Sequence, residues 1–93
     1  MYKNIAIIGA GSWGVAMANL LSEESKVAVF HYHKSTIKHL KKTRTHPNLP
    51  GYAISENIFL SESKEVCADL CILAIPVQYM RKTLKGFSFK SQN

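Results

Sequence analysis

Cysteine is scarce in this chain: there are two in 93 residues, Cys67 and Cys71. Two thiols make no disulfide framework, and their spacing fits neither a zinc knuckle nor a redox dithiol. Both are expected to be reduced, small apolar core residues, with Cys71 inside a buried strand. No apolar run approaches the length of a membrane span, and no signal peptide is expected ahead of the first apolar run. A cytoplasmic location follows as the expectation. Carboxylates are also few, six Asp and Glu against twelve Lys and Arg, for a formal net charge of +6. There are no internal repeats and no low-complexity tracts. His31 and His33 could share a face, but two histidines without a Cys-x-x-Cys or an acidic partner do not close a metal site. No metal is expected.

What is present starts at the fourth residue. The apolar run Asn4-Ile5-Ala6-Ile7-Ile8 leads into Gly9-Ala10-Gly11-Ser12-Trp13-Gly14, after which the pattern turns helical. A G-x-G-x-x-G between a strand and a helix is the context a dinucleotide-binding turn requires. Gly9 allows the tight turn off the strand, Gly11 lets the backbone approach a pyrophosphate, and Gly14 lets the helix pack closely on the sheet. The helix starting near Ser12 directs its unpaired N–H groups and positive dipole end at the phosphates. The rival is a glycine-rich turn with no ligand.

The rest of the chain alternates strands and helices. The first strand spans Lys3 to Ile8. A helix from Ser12 to Ser22 follows, with Trp13, Ala16, Met17, Leu20 and Leu21 as its apolar stripe. Val27 to Phe30 reads as a buried parallel strand, and a helix from Ser35 to Lys42 is capped by Ser35. The prolines and glycine of Thr45 to Tyr52 exclude a helix and read as a loop. Asn57 to Leu60 is a short strand, and Ser61 to Cys67 a brief helix with a serine start signal. Asp69 to Ile75 is a strand stopped by Pro76, Val77 to Leu84 a helix, and the tail from Lys85 to Asn93 carries no firm signal. The fold class is α/β, a Rossmann-type doubly wound and mostly parallel sheet. A complete domain of that type needs two βαβ halves. Residues 1–93 hold the first half plus one further strand and helix, so they are expected to be a partial N-terminal domain.

In such a sheet ligands bind beyond the carboxyl ends of the strands. Three of those ends, Gly9 to Trp13, His31 to Lys34 and Ala74 to Gln78, should converge on one crevice. An NAD enzyme usually keeps an Asp or Glu at the second of them, for the ribose 2′-hydroxyl. Phe30-His31-Tyr32-His33-Lys34 has none, and His33 and Lys34 could pair with a 2′-phosphate. The expected cofactor is therefore NAD(P), with NADP favoured. Tyr32 or His33 could stack beside the adenine, unless both simply face water. Trp13 is either core or a wall of the pyrophosphate and nicotinamide region. No residue makes a convincing hydride-transfer acid or base, because the lysines fall on the basic helix or in the tail.

Much of the positive charge lies in Lys34, Lys38, Lys41, Lys42 and Arg44, with His39 and His46 nearby. Nucleic acid is one reading of such a run. Ile37 and Leu40 at helical spacing favour the wet face of an amphipathic helix, with some steering of a polyanionic cofactor. No nucleic-acid partner is expected.

Gly9-Ala10-Gly11-Ser12-Trp13-Gly14 with Val15-Ala16-Met17-Ala18 closely resembles the G-A-G-S-W-G-T-A-L-A signature of bacterial NAD(P)-dependent glycerol-3-phosphate dehydrogenases. Asn48-Leu49-Pro50-Gly51 before Ser55-Glu56-Asn57-Ile58 resembles the family's Y-L-P-G segment and short strand. Ala68-Asp69-Leu70-Cys71-Ile72-Leu73-Ala74-Ile75-Pro76 resembles its A-D-hydrophobic-A-V-P strand, and Arg81 suits the helix after it. The chain departs from the pattern at Asn48, where an aromatic is usual, at Phe30, often tryptophan, and at Tyr32-His33, often an Arg or His pair.

The resemblance implies a full-length oxidoreductase that interconverts glycerol 3-phosphate and dihydroxyacetone phosphate for glycerophospholipid synthesis, expected to be a homodimer. It implies cofactor contacts from Ser12, Trp13, Tyr32 and His33. With the fingerprint glycines and the Pro76 strand end, the candidate cofactor-binding set is Gly9, Gly11, Ser12, Trp13, Gly14, Tyr32, His33 and Pro76. It also implies that a T-K-G segment, the catalytic lysine and a helical substrate domain lie beyond Asn93, so residues 1–93 alone are expected to be inert, with no catalytic residue assigned. The rivals are a cofactor domain of a ketopantoate or 6-phosphogluconate type dehydrogenase and a non-catalytic NAD(P)-sensing module. A nucleic-acid module comes last.

Overall fold

The structure, a computed structural model, describes residues 3–46 and 49–90. In chain order the elements are β1 (Asn4–Ile8), α1 (Ser12–Leu21), β2 (Lys26–Phe30), α2 (Lys34–Thr43), β3 (Thr45–His46), β4 (Leu49–Ala53), β5 (Ile58–Ser61), β6 (Glu65–Cys67), β7 (Leu70–Leu73), α3 (Val77–Lys85) and β8 (Ser88–Lys90). Four strands form a parallel sheet in the order β5-β2-β1-β7. The chain builds outward from β1 through β2 to β5, then crosses back to place β7 on the other side of β1. That reversal is the topological switch point at which doubly wound sheets hold ligands.

Both faces of β1 are covered, which is why its run is nearly continuous in apolar residues. Ile5 and Ile7 join Val27, Val29, Ile58 and Leu60 under α1 and α2. Ala6 and Ile8 face the other way and pack with Phe30, Val66 and Phe87. Full burial of a side chain the size of Ile or Leu contributes about 1.5–3 kcal/mol, so Ile7, Ile8, Ile37, Leu40 and Leu60 anchor the layers.

The expected stripe of α1 is rotated. Its buried residues are Gly14, Val15 and Ala18, with Met17 and Leu21 packed beside them. Trp13 and Leu20 are 76 % and 69 % exposed. The helix lies close on the sheet, so its smallest side chains must face inward, and residues one position away turn outward. On α2 the expectation of a wet basic face holds: Ile37 and Leu40 are buried, while Lys34, Lys38, His39, Lys41 and Lys42 are exposed. Ser35 does not cap it. His33 occupies the N-cap, with no side-chain capping bond.

Two other segments and the two cysteines differ from the sequence reading. Thr45 to Tyr52, expected to be a loop, holds β3 and all of β4 but Ala53; the two pair antiparallel through Thr45 with Ala53 and His46 with Leu49, and Pro47 and Asn48 lie outside the described residues. A two-stranded ribbon leaves one side of each strand without a ladder, so it tolerates Pro50. The Asn19 side chain ties the ribbon's end to α1, donating to the Ala53 carbonyl at 2.9 Å and accepting from the Ser55 N–H at 2.9 Å.

Ser61 to Cys67 is not a helix. The serines that resemble an N-cap instead close short local turns, Ser63 N–H to Ser61 Oγ at 3.1 Å and Glu65 N–H to Ser63 Oγ at 3.0 Å. Such hydroxyl-to-backbone bonds compete with helix formation. Beyond them β6 alternates, with Val66 buried between exposed neighbours, and pairs parallel with β8. The cysteines are not core residues either. Cys67 and Cys71 form no disulfide and are exposed. β7 is an edge strand of the sheet among the described residues, and Cys71 belongs to neither core cluster. Burial by neighbours still pushes the Cys71 thiol pKa up.

Candidate functional site

The strand ends expected to converge do so. A crevice of ≈ 370 Å³ at the carboxyl ends of β1, β2 and β7 is lined by Gly9, His31, Tyr32, His33 and Pro76, with Tyr79, Lys82 and Thr83 of α3 closing it. Of the candidate residues, Gly9, Tyr32, His33 and Pro76 line this crevice. Gly11, Ser12, Trp13 and Gly14 do not; they form the turn and the first turn of α1 beside it. A larger hollow of ≈ 850 Å³ opens at the opposite end of the sheet, near Lys3, Lys26, Asn57 and Phe59. It lies at the amino ends of the strands, where parallel sheets do not hold their ligands.

The three fingerprint glycines have different physical reasons. Gly9 has φ +118°, a conformation that favours glycine, and a Cβ there would sit 2.3 Å from the Ala74 carbonyl oxygen. A Cβ on Gly14 would sit 2.0 Å from the Gly9 carbonyl oxygen. Gly9 and Gly14 are thus required by packing within the protein. Gly11 is not: a Cβ there meets nothing within 4 Å. The open space over Gly11 borders the N-terminus of α1. Gly11 is the N-cap, no side chain caps the helix, and no acidic residue stands in its first turn. An anion over Gly11 meets backbone donors and the positive end of the dipole with nothing competing for them.

Backbone bonds fix the turn to both neighbours of β1. Gly9 N–H donates to the Phe30 carbonyl at 2.7 Å, and Ala74 N–H donates to the Ile8 carbonyl at 2.8 Å. β7 ends at Leu73, short of the expected Ile75, and Pro76 is the N-cap of α3, so it starts the helix closing the crevice.

The segment after β2 carries the polar chemistry. The His33 ring lies 5.1 Å from Tyr32, edge to face, and 5.8 Å from His31. His31 accepts the Ala10 N–H on Nδ1 at 2.9 Å, so its own proton resides on Nε2. Burial, then His33, then Lys64 lower the His31 pKa from its ordinary value of 6.5. Lys64 carries no motif or spacing that singles it out in the sequence. From the β5–β6 connection its Nζ donates to the His31 carbonyl at 3.0 Å and to the Tyr32 carbonyl. The same ammonium lies 5.0 Å from the Tyr32 ring centroid and 4.7 Å from that of Phe87. Burial and Lys34 lower its pKa. No carboxylate lines the crevice. Among the described residues no group of three or more His, Cys, Asp or Glu could hold a metal ion.

Trp13 is largely exposed, so it is not a core residue. Arg44, counted with the basic face, is half-buried; its Nη2 donates to the carbonyl of Ile58 at 3.2 Å and to that of Ser55. Lys41 on the same face pairs with Glu62 at 3.0 Å.

Comparison with known proteins places this geometry in a family. Residues 4–92 match the family model described as NAD-dependent glycerol-3-phosphate dehydrogenase N-terminus. A glycerol-3-phosphate dehydrogenase [NAD(P)+] of Wolbachia sp. subsp. Brugia malayi is 39 % identical over 80 residues, 84 % of this chain and 24 % of that protein. Glycerol-3-phosphate dehydrogenase [NAD(P)+] 2 of Lactobacillus delbrueckii subsp. bulgaricus is 35 % identical over 85 residues, 87 % of this chain and 25 % of that protein. The crystal structure of a glycerol-3-phosphate dehydrogenase from Coxiella burnetii superposes with a TM-score of 0.64 at 18 % identity, covering 98 % of this chain and 33 % of that one. That likeness shows the fold. The chain spans about a quarter of the length of the curated relatives it matches.

Proposed function

The chain belongs to the family of the NAD-dependent glycerol-3-phosphate dehydrogenase N-terminus, and from that premise we propose that residues 1–93 are the first part of a domain holding NAD(P). The observation that carries the reading is Gly11. Packing explains the other two fingerprint glycines, and the open space over Gly11 is left for a ligand's backbone approach. The pyrophosphate lies against Gly11 and the uncapped first turn of α1, with Ser12 beside it and Trp13 as an outer wall. Gly9 and Gly14 shape that turn, Tyr32 and His33 take the adenosine end, and Pro76 sets the floor between β7 and α3. When bound, the nicotinamide supplies hydride chemistry; the residues present here bind and orient.

The same reading favours NADP. His33 and Lys82 line the crevice and no carboxylate does, so a 2′-phosphate meets an ammonium, an imidazole donor and no repelling charge. The whole protein is proposed to interconvert glycerol 3-phosphate and dihydroxyacetone phosphate for glycerophospholipid synthesis, as a cytoplasmic homodimer. Its catalytic lysine and substrate domain are proposed to lie outside residues 1–93. Among the described residues no helix is long and apolar enough to cross a membrane.

Titration of the chain with NADPH and NADH tests this. Saturable but weak binding is expected on the proposal that residues 1–93 are only the first part of the cradle, and NADPH should bind more tightly. Gly11→Ala should abolish it. No saturable signal from either cofactor, or equal binding by Gly11→Ala, would reject the assignment.

A further inference from the structure

One side chain joins the glycine-rich turn to the end of β2. Ala10 is buried, and its N–H donates to Nδ1 of His31 at 2.9 Å. Behind the imidazole, Lys64 holds the same residue from the β5–β6 connection through the His31 and Tyr32 carbonyls. The last ladder-type bond before the turn is Gly9 N–H to Phe30 carbonyl. Past it, the next residue of a turn rich in glycine is fixed by a side chain.

We propose that His31 is a positioning residue for the dinucleotide: its neutral imidazole, by accepting the Ala10 N–H, holds the turn in the shape that receives the pyrophosphate, and protonation of His31 releases it. This rests on the cofactor reading above and adds a residue and a pH dependence to it. Ala10's donor is spent on His31, so the donors open to a phosphate are those further on, at the start of α1. An imidazolium has a proton on both nitrogens and cannot accept. Charging His31 therefore leaves a buried N–H unpaired, which is costly.

His33 and Lys64 oppose that charge directly, and the other charged groups around the crevice are cationic too. His33 follows it on the same segment, with ring centroids 5.8 Å apart. Lys64 reaches it from the β5–β6 connection at 3.0 Å from its carbonyl oxygen. Lys82 of α3 lines the same crevice, and Lys34 at the start of α2 acts on Lys64. The glycine-rich turn contributes no charge. Burial, then His33, then Lys64 lower the His31 pKa from 6.5. The sign follows from linkage: the bond is fully present above the ordinary histidine value and is lost as pH falls through the lower folded one.

The test uses the whole chain as wild type, His31→Asn and His31→Ala. The Asn Oδ1 lies where an Nδ1 acceptor would, and it does not titrate. Two quantities are followed from about pH 8 down to about pH 4.5, through and below the ordinary histidine range: protection of the Ala10 amide from hydrogen exchange, corrected for intrinsic rate, and NADPH affinity. In the wild type both should fall together as the pH drops through the lowered His31 value, toward a limit of about tenfold, the size of one hydrogen bond. His31→Asn should keep protection and affinity through the range, although His33 is still present. His31→Ala should lack both at every pH, about tenfold below wild type. Equal Ala10 exchange in His31→Ala and wild type, or a wild-type pH profile in His31→Asn, overturns the proposal. If His31→Ala does not fold, the His31→Asn profile decides. Binding by all three forms with equal affinity overturns the positioning role and leaves the cofactor reading standing. No NADPH binding by any form at any pH overturns both, whatever Ala10 does.

Discussion

Gly14 sits directly against Gly9: a Cβ added to Gly14 would come within 2.0 Å of the Gly9 carbonyl oxygen. This is backbone against backbone, so neither side can move away as a flexible side chain would. Gly14→Ala should destabilise the fold by about 3 kcal/mol or more, the upper range for overpacking. Gly9→Ala should cost at least as much, because it adds a φ of +118° to a 2.3 Å clash with the Ala74 carbonyl oxygen. Gly11→Ala contrasts with both. Its backbone, φ −74° and ψ −178°, suits alanine, and only the N-cap preference is lost, about 1 kcal/mol or less. Chemical denaturation of the three variants should therefore separate Gly11 from the pair, while NADPH titration should show Gly11→Ala as the folded form that does not bind.

Trp13 is the single tryptophan of the chain, so its fluorescence reports one position. It is 76 % exposed, and Trp13→Ala should change stability by less than about 0.5 kcal/mol. In the wild type NADPH should quench its emission saturably, and the Trp13→Ala chain should bind NADPH more weakly by calorimetry. An emission unchanged at saturating NADPH, with binding seen by calorimetry, would remove Trp13 from the site.

Much of this site is legible in the sequence because the glycine turn is local chemistry. The strand, the turn and the helix start are neighbours in the chain, and Gly9, Gly11 and Gly14 each appear where their spacing put them. The convergence of Tyr32, His33 and Pro76 also follows, since parallel strands bring their carboxyl ends to one side. Long-range contacts are not written in this way. Lys64 reaches the site from 32 residues beyond Tyr32, and its segment looks like a helix start because serines serve both N-caps and short turns. Trp13 and Leu20 look like core because their spacing is helical. Only the need for Gly14 to face the sheet turns them outward. Cys71 looks buried from its apolar neighbours, but strand order decides burial, and β7 is at an edge.

Arg44 is the one described non-glycine residue with positive φ, 54°, at the C-cap of α2. Its guanidinium donates to the Ser55 and Ile58 carbonyls, which ties the end of α2 to the start of β5. Arg44→Ala loses these bonds and keeps the left-handed backbone. Arg44→Gly loses the bonds but relieves the backbone, which is worth about 1 kcal/mol. Both variants should be less stable than wild type, and Arg44→Ala less stable than Arg44→Gly by about that amount in denaturant melts. Equal stability of the two would mean that the backbone term is compensated elsewhere.

Cys71 gives a pH-dependent reactivity. Its thiol is exposed on β7, yet burial by its neighbours raises its pKa above the ordinary value of 9.0. The reactive form is the thiolate, so alkylation at Cys71 should be slow at neutral pH and should still be accelerating where an unperturbed thiol has levelled off. Rate measurements against pH on a Cys67→Ser chain isolate this thiol. A plateau at or below pH 9.0 would show that its neighbours do not desolvate it.

The edge on which Cys71 lies should make the chain associate with itself. Leu70–Leu73 pairs with β1 on one side, and among the described residues β7 ends the sheet order, so its outer backbone donors and acceptors can pair with another chain. Leu73 is 38 % exposed there and adds apolar surface to the contact. Concentration-dependent sedimentation is expected for the wild type. Leu73→Lys places a charge on the edge, a device that opposes strand pairing, and should shift the distribution toward monomer with little loss of stability because the position is already exposed. A wild-type chain that sediments as a monomer at every concentration would show that the edge is covered.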